Sequence, residues 1–137
     1  MTNRLALVVE DDPLLQDAMI KCLEAANFRV VAAFDFDAAV RHLSVVDPDV
    51  ACIDLGLPSA SGFELCEHIR RRPHGTGLPI LVTSDRSFPE DMAHAEEAGA
   101  HAFLKKPFTM DQLLKYILAL LDGPPSSRPS VRRLRAR

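Results

Sequence analysis

The stretch LALVVEDDP, residues 5–13, places five apolar residues directly before three acidic residues and a proline. A short apolar run without polar alternation is typical of a strand that is covered on both faces of a sheet. Proline suits the first turn of a helix, and the apolar residues of 13–26 recur at helical spacing. The stretch therefore predicts a buried strand that delivers Glu10, Asp11 and Asp12 to its carboxyl end and leads into a helix.

The same order of strand and helix recurs along the rest of the chain. Further apolar runs predict strands at 29–33, 50–53, 78–82 and 101–104, and apolar residues at helical spacing predict helices at 37–46, 63–70, 89–98 and 109–121. Five units of this length predict an α/β fold, in which a five-stranded parallel sheet carries helices on both faces.

The charge is divided unevenly between two parts of the chain. The 137 residues carry a net charge of −3, but all five arginines of residues 123–137 (GPPSSRPSVRRLRAR) lie in a stretch without acids. Residues 1–122 therefore hold 11 basic against 19 acidic residues, a net charge of −8. We predict one domain over 1–122, whose acidity argues against direct nucleic-acid binding and suits a cation.

The segment 123–137 is rich in proline, serine and arginine and predicts a flexible basic tail, since it offers no core face. One alternative to a flexible tail is a segment that docks to an acidic partner or a membrane surface, or that contacts nucleic acid. Another is the start of a linker to an output domain.

No apolar run approaches the roughly 20 residues that a membrane-spanning helix needs, and the N-terminus has no features of a secretory signal. We therefore expect a cytoplasmic protein. The three cysteines, Cys22, Cys52 and Cys66, are scattered among apolar neighbours and predict small core residues rather than disulfides. The run 70–72, three arginines at a helix end, is expected to complement the helix dipole.

Polar side chains follow four of the predicted strands. They are Glu10, Asp11 and Asp12 after the first strand, Asp54 after the third, Thr83 and Ser84 after the fourth, and Lys105 and Lys106 after the fifth. The carboxyl ends of parallel strands meet at one edge of the sheet, so several carboxylates would share one pocket and need a cation. Oxygen ligands favour Mg²⁺. With a hydroxyl and an ammonium group the set suits phosphoryl transfer, and Asp54 is the candidate nucleophile.

Four motifs in this order and spacing resemble the receiver domain of two-component response regulators. They are VVEDDP (8–13), CIDLGLPSASG (52–62), LVTSD (81–85) and FLKKPF (103–108), and the resemblance covers about residues 4–121. It implies a flavodoxin-like (βα)₅ fold. It also implies a phosphorylated signalling protein that is not an enzyme, except in catalysing its own phosphorylation and dephosphorylation.

The resemblance assigns roles to single residues. Asp54 would accept a phosphoryl group from the phosphohistidine of a sensor histidine kinase or phosphotransfer protein. Asp11, Asp54 and the backbone carbonyl of Gly56 would ligate Mg²⁺, and Glu10 would act through a bound water. Asp12 is expected to begin the first helix rather than bind metal.

The resemblance also implies a switch. Thr83 would bond a phosphoryl oxygen and shift inward, Phe103 would follow it, and Lys106 would pair with the phosphoryl group across a cis peptide to Pro107. A downstream protein effector would recognise the new surface. Two positions depart from the commonest pattern: Glu10 stands where Asp is frequent, and Phe103 where Tyr is common.

The favoured interpretation is a stand-alone receiver. A pseudo-receiver that binds partners without phosphorylation is the alternative, followed by an aspartyl-nucleophile phosphatase resembling the haloacid dehalogenases. In those enzymes a second acid stands two residues after the nucleophile, where this chain has Gly56. A DNA-binding regulator is least favoured, since no helix-turn-helix segment remains. The fourth and last helices are candidate surfaces for a homodimer.

Overall fold

The computed structural model describes residues 3–58, 60–73, 77–86 and 88–122, and in it five strands alternate with five helices. The strands are β1 (Leu5–Val9), β2 (Arg29–Ala33), β3 (Val50–Asp54), β4 (Ile80–Ser84) and β5 (Ala102–Lys105). The helices are α1 (Pro13–Ala25), α2 (Phe36–Leu43), α3 (Gly62–Arg71), α4 (Pro89–Glu97) and α5 (Met110–Leu121). The predicted alternation of strand and helix is confirmed.

The five strands form one parallel sheet in the order β2-β1-β3-β4-β5. The direction in which successive strands are added reverses between β1 and β3. In open α/β sheets such a reversal leaves a crevice beyond the carboxyl ends of the two strands. The register places Asp54 of β3 opposite Thr83 of β4, so two predicted site residues are neighbours in the sheet.

Two apolar cores cover the two faces of the sheet. Helices α1 and α5 pack on one face, where Leu23 and Ile117 are fully buried. Helices α2, α3 and α4 pack on the other face, with Leu65 and Met92 in the core. Strands β1, β3 and β4 are buried along their whole length, as their unbroken apolar runs predict.

Most element boundaries differ from the predictions by one or two residues, and the largest differences are at α2 and β4. Helix α2 ends three residues earlier than expected, and it begins after an unpredicted N-cap, Asp35, whose side chain accepts a hydrogen bond from the Ala38 N–H at 2.8 Å. Strand β4 begins at Ile80 rather than at residue 78. Pro79 has no N–H to donate to the ladder, although its carbonyl accepts a hydrogen bond from the Ala51 N–H at 3.0 Å.

The predictions for cysteines and arginines need partial correction. Cys52 and Cys66 lie in the two cores, but Cys22 is only partly buried on α1. Arg70 does more than complement the α3 dipole, because its guanidinium donates hydrogen bonds to the carbonyl of Gly99, in the turn between α4 and β5. That side chain therefore joins the end of α3 to the end of α4.

The predicted tail, 123–137, lies outside the described residues. Within the described ranges, no helix combines the length and the apolar character that crossing a membrane requires.

Gly62 brings the start of α3 against the end of β3. Its N–H donates to the carbonyl of Leu55 at 3.2 Å. A Cβ added to Gly62 would lie 2.5 Å from the backbone carbonyl oxygen of Asp54, closer than real Cβ contacts allow. Only glycine therefore lets the helix begin this close to Asp54.

We predict that Gly62→Ala lowers the free energy of unfolding by about 1–3 kcal/mol, because the new methyl group must displace backbone rather than a flexible side chain. Urea denaturation would measure the change. Gly77→Ala is the matched control, since a Cβ there meets no heavy atom within 4 Å. Equal effects of the two substitutions would show that the close approach at Gly62 carries no cost.

Candidate functional site

The residues predicted from four separate strands meet at the carboxyl edge of the sheet. Asp54 is the last residue of β3, Thr83 is its neighbour on β4, Glu10 follows β1 and Lys106 follows β5. Glu10, Asp54 and Thr83 are 0%, 4% and 1% exposed. Buried acids at the switch point of a parallel sheet are characteristic of a functional site, since burying a charge without a partner is costly.

Lys106 pairs with both buried carboxylates. Its Nζ lies 3.0 Å from Oε1 and 3.3 Å from Oε2 of Glu10, and 3.3 Å from Oδ2 of Asp54. Burial lowers the pKa of the Lys106 ammonium, but the two carboxylates outweigh burial and raise it above its ordinary value. Lys106 therefore stays charged and stands between the acids of β1 and β3.

The two buried acids remain destabilised as anions. The pKa of Glu10 is raised to about 7, first by burial and also by the charge of Asp54, while the N–H of Asp12 and the ammonium of Lys106 act in the opposite direction. Burial also raises the pKa of Asp54, against a hydrogen bond from the Gly56 N–H to Oδ1 at 3.0 Å and the charge of Lys106. One lysine does not neutralise this pocket.

Glu10, Asp11 and Asp54 can each offer an oxygen within 4.8 Å of the others. Asp11 is exposed, which leaves one side of the cluster open to water. Carboxylate oxygens with room for several waters match the preference of Mg²⁺. The uncompensated negative charge at Glu10 and Asp54 fits the same ion, so the donor set supports the predicted magnesium site.

Asp12 lies outside this cluster, in agreement with the expectation that it begins α1. Its Oδ1 accepts a hydrogen bond from the Leu14 N–H at 3.0 Å, which is an N-cap contact. Gly56 is exposed and directs its N–H at Asp54. Lys105 is exposed, and the Ser84 hydroxyl accepts from the Arg86 N–H at 3.0 Å, so neither side chain belongs to the site.

Thr83 has a buried hydroxyl without a partner. Its Oγ1 makes no hydrogen bond to any described residue. Such an orphaned group costs about 1–3 kcal/mol, which is unusual enough to require an explanation. An acceptor oxygen that arrives beside Asp54 would satisfy the hydroxyl. Phe103, the predicted partner of Thr83 in the switch, is 1% exposed and packs in the core beneath α2, α3 and α4.

The sequence analysis did not predict one residue that positions the backbone beneath the site. Gln16 is buried on α1, and its Nε2 donates to the backbone carbonyls of Glu10 at 3.1 Å and Ala33 at 2.9 Å. It thereby fixes the chain where β1 ends. The available signal was its position on the buried face of α1, in line with Met19 and Leu23.

Three large apolar side chains near the site were also missed. Leu14 at the start of α1, Phe34 after β2 and Phe88 before α4 are 82%, 51% and 55% exposed. They follow the carboxyl ends of β1, β2 and β4, the same edge of the sheet as the site, so a protein surface that approaches Asp54 can contact them.

Comparison with known proteins agrees with this geometry. The family described as response regulator receiver domain matches residues 6–118. The phosphate regulon transcriptional regulatory protein PhoB of Escherichia coli is 32% identical over 118 residues, which is 86% of this chain and 52% of PhoB. The sensory transduction protein BceR of Bacillus subtilis is 35% identical, over 83% of this chain and 48% of BceR. The chain thus spans about half the length of these curated relatives.

Solved structures show the same fold. The chemotaxis response regulator CheY4 of Vibrio cholerae superposes with a TM-score of 0.84 at 28% identity, covering 88% of this chain and 100% of that one. A CheY-like receiver domain protein from Methanospirillum hungatei gives 0.82 at 26% identity, covering 88% of this chain and 95% of that one. The predicted fold and resemblance are confirmed, and the chain belongs to the response regulator receiver domain family.

Proposed function

We propose that this domain accepts a phosphoryl group on Asp54, with Mg²⁺, from a phosphohistidine of a sensor histidine kinase or phosphotransfer protein. The observation that carries the proposal is the convergence of Asp54, Thr83 and Lys106 beside the acidic pair of Glu10 and Asp11. A carboxylate nucleophile, a partly buried ammonium and an unpartnered hydroxyl together match what a phosphoryl group requires.

The transfer is an in-line displacement. A carboxylate oxygen of Asp54 forms a bond to phosphorus while the bond from phosphorus to the donor imidazole nitrogen breaks. That nitrogen keeps the electron pair of the broken bond, and the donor leaves as a neutral imidazole because its other ring nitrogen already carries a proton. The Lys106 ammonium, 3.3 Å from Asp54, neutralises charge on the phosphoryl oxygens. A bound Mg²⁺ supplies further neutralisation, and Asp11, Asp54, the Gly56 carbonyl and a water on Glu10 would hold it.

The orphaned hydroxyl of Thr83 supports the proposed switch. A phosphoryl oxygen on Asp54 offers the acceptor that the hydroxyl lacks, so phosphorylation favours an arrangement in which Thr83 turns toward it. Phe103 would then repack, and α4, β5 and α5 would shift toward a form that binds a downstream protein effector.

The phosphodonor is proposed to be a protein that contacts the exposed apolar residues Leu14, Phe34 and Phe88. Output is proposed to pass through the partner-binding face of a stand-alone receiver rather than through direct contact with nucleic acid, because residues 1–122 carry a net charge of −8. Turnover of a separate phosphorylated substrate is not expected, since Gly56 offers no carboxyl group for acid–base catalysis.

The first prediction from this proposal concerns the phosphoacceptor. Incubation with acetyl phosphate or phosphoramidate and Mg²⁺ is expected to add a single labile phosphoryl group to the protein, measured by intact mass. Asp54→Ala is expected to abolish the adduct, because it removes the nucleophile.

Asp12→Ala is the matched control, since this neighbouring acid caps α1 outside the cluster and its loss should leave the adduct intact. A folded wild-type protein that gains no adduct at saturating Mg²⁺ would favour the pseudo-receiver instead. An adduct that persists in Asp54→Ala would place the phosphoacceptor elsewhere.

The second prediction separates stability from switching at Thr83. Thr83→Val replaces the unpartnered hydroxyl by a methyl group of similar size, so the free energy of unfolding should stay constant or rise by up to about 1 kcal/mol. The phosphoryl adduct should still form, while the phosphorylation-dependent change in amide hydrogen exchange along β4, α4 and β5 should be lost.

A loss of stability in Thr83→Val would show that the hydroxyl is paired in the unmodified protein. An unchanged exchange response to phosphorylation would show that Thr83 takes no part in the switch.

The third prediction concerns the pH dependence of stability without metal. The pKa of Glu10 is about 7 in the folded chain and 4.5 as the ordinary value, so the folded state holds the extra proton between these pH values. Stability in EDTA should therefore fall as pH rises through this window. Glu10→Gln should reduce the fall, to which Asp54 also contributes, and its free energy of unfolding at pH 8 should exceed that of wild type by about 1–3 kcal/mol.

Urea denaturation at pH 5 and pH 8 measures this difference. At pH 5 the difference between the variant and the wild type should be much smaller, because Glu10 is then mostly neutral in the folded state. Mg²⁺ at pH 8 should stabilise the wild type more than the variant, since Glu10 would hold the ion through a water. A difference between variant and wild type that is the same at both pH values would contradict an ionised, destabilised Glu10.

A further inference from the structure

An apolar groove runs between α1 and α5, on the face of the domain that α2, α3 and α4 do not cover. It is open to solvent along its length and has a volume of about 500 Å³. Small side chains of α1, Ala18, Cys22 and Ala25, leave the space, and Met110 and Leu114 of α5 form the opposite wall. We refer to this feature as the α1–α5 groove.

The groove continues along α5 as an apolar stripe. Met110, Leu114 and Leu118 follow one another at four-residue spacing, which places them on the same side of the helix. Leu118 is 37% exposed, which is unusual for a leucine so close to a packed helix pair. The stripe leads from the groove toward the carboxyl end of α5, where the described chain ends at residue 122.

The chain itself supplies a segment that can reach this surface. Fifteen residues, 123–137, follow the end of α5. The distance from Leu121 back to Met110 is about 16 Å at the helical rise of 1.5 Å per residue, which about five extended residues span. Val131 and Leu134 are the only large apolar side chains of 123–137. Both lie more than five residues after the end of α5, so the chain between is long enough to bring them back to the groove.

The charges of the groove and the segment are complementary. Lys21 lines the groove and is paired with Asp17 at 2.9 Å, so these two charges offset each other. Glu24 adjoins Ala25 on α1, and the charge of Asp111 acts on Cys22, so both acids lie beside the groove. Lys115 follows Leu114 on α5, which leaves a small excess of acid. The five arginines of 123–137 would face this acidic border. A second copy of the domain, with its own net charge of −8 over 1–122, would instead meet like charge.

We propose that residues 123–137 fold back onto the α1–α5 groove, with Val131 and Leu134 against the apolar wall and the arginines over the acidic border. This intramolecular contact is independent of the phosphorylation proposed above. It assigns the basic segment a binding surface on its own domain.

Cys22 provides a built-in reporter of the contact. It lines the groove and is only partly buried, with its Sγ 3.6 Å from the carbonyl oxygen of Met110. Cys52 and Cys66 are 1% and 0% exposed, and burial raises the pKa of each thiol to about 12. Alkylation of the folded protein by a small maleimide therefore measures access to Cys22.

The test compares alkylation rates in the full chain of 137 residues. A Val131→Ser, Leu134→Ser double variant should react about fivefold or more faster than wild type, because the covered state is depopulated. The wild-type rate should also rise with salt, which screens the arginines. Ser126→Ala, Ser127→Ala is the matched control, which changes two residues of the same segment and should leave the rate unchanged.

Equal rates for wild type and the Val131, Leu134 variant would overturn the proposal. Protection of Cys22 that increases with protein concentration and is unchanged by the substitutions would also overturn the proposal, because it would show that a second copy covers the groove. The contact is made only by the folded domain, so its loss should lower the free energy of unfolding by about 1 kcal/mol for a fivefold effect, while the Ser126, Ser127 control should match wild type. Faster alkylation of Cys52 and Cys66 along with Cys22 would contradict the contact as well, because it would show that the domain itself opens.

Discussion

The ion pairs of Lys106 with Glu10 and Asp54 are the constraint around which the site is organised. The lysine follows β5, at one edge of the sheet, and reaches across β4 to the acids of β3 and β1. Each carboxylate is buried and would be strongly destabilised without a positive partner. The three strand ends are thereby coupled electrostatically as well as through the hydrogen bonds of the sheet.

That coupling leaves an imbalance of charge. One ammonium faces two buried carboxylates, and the exposed Asp11 adds a third negative charge nearby. Because the surroundings are held by backbone contacts, such as those from Gln16 to Glu10 and from Gly56 to Asp54, the acids cannot simply move apart. A divalent cation and an incoming phosphoryl group are the two additions that such a rigid, oxygen-rich pocket accommodates best.

Much of this arrangement could be predicted from the sequence, because parallel strands carry their terminal residues to a common edge. The strand runs and the residues that follow them were sufficient to place Glu10, Asp54 and Thr83 together. The contacts of Gln16 and Arg70 could not be predicted, because each depends on where a distant backbone carbonyl lies in three dimensions. Boundaries were missed where one residue overrides a pattern, as Pro79 does at the start of β4.

The contact between Arg70 and the Gly99 carbonyl also bears on how α4 can move. It holds the carboxyl end of that helix to α3, and Gly99 has a φ of +104°, which a residue with a side chain would rarely adopt. At the amino end of α4, Phe88 occupies the N-cap position, and no side chain of the described residues caps the helix there. The contacts at the amino end are local, since Arg86 of the preceding loop pairs with Asp91 at 3.5 Å, whereas Arg70 ties the carboxyl end to a different helix. A displacement of α4 that keeps the Arg70 contact therefore pivots about Gly99 and moves the end beside Phe88.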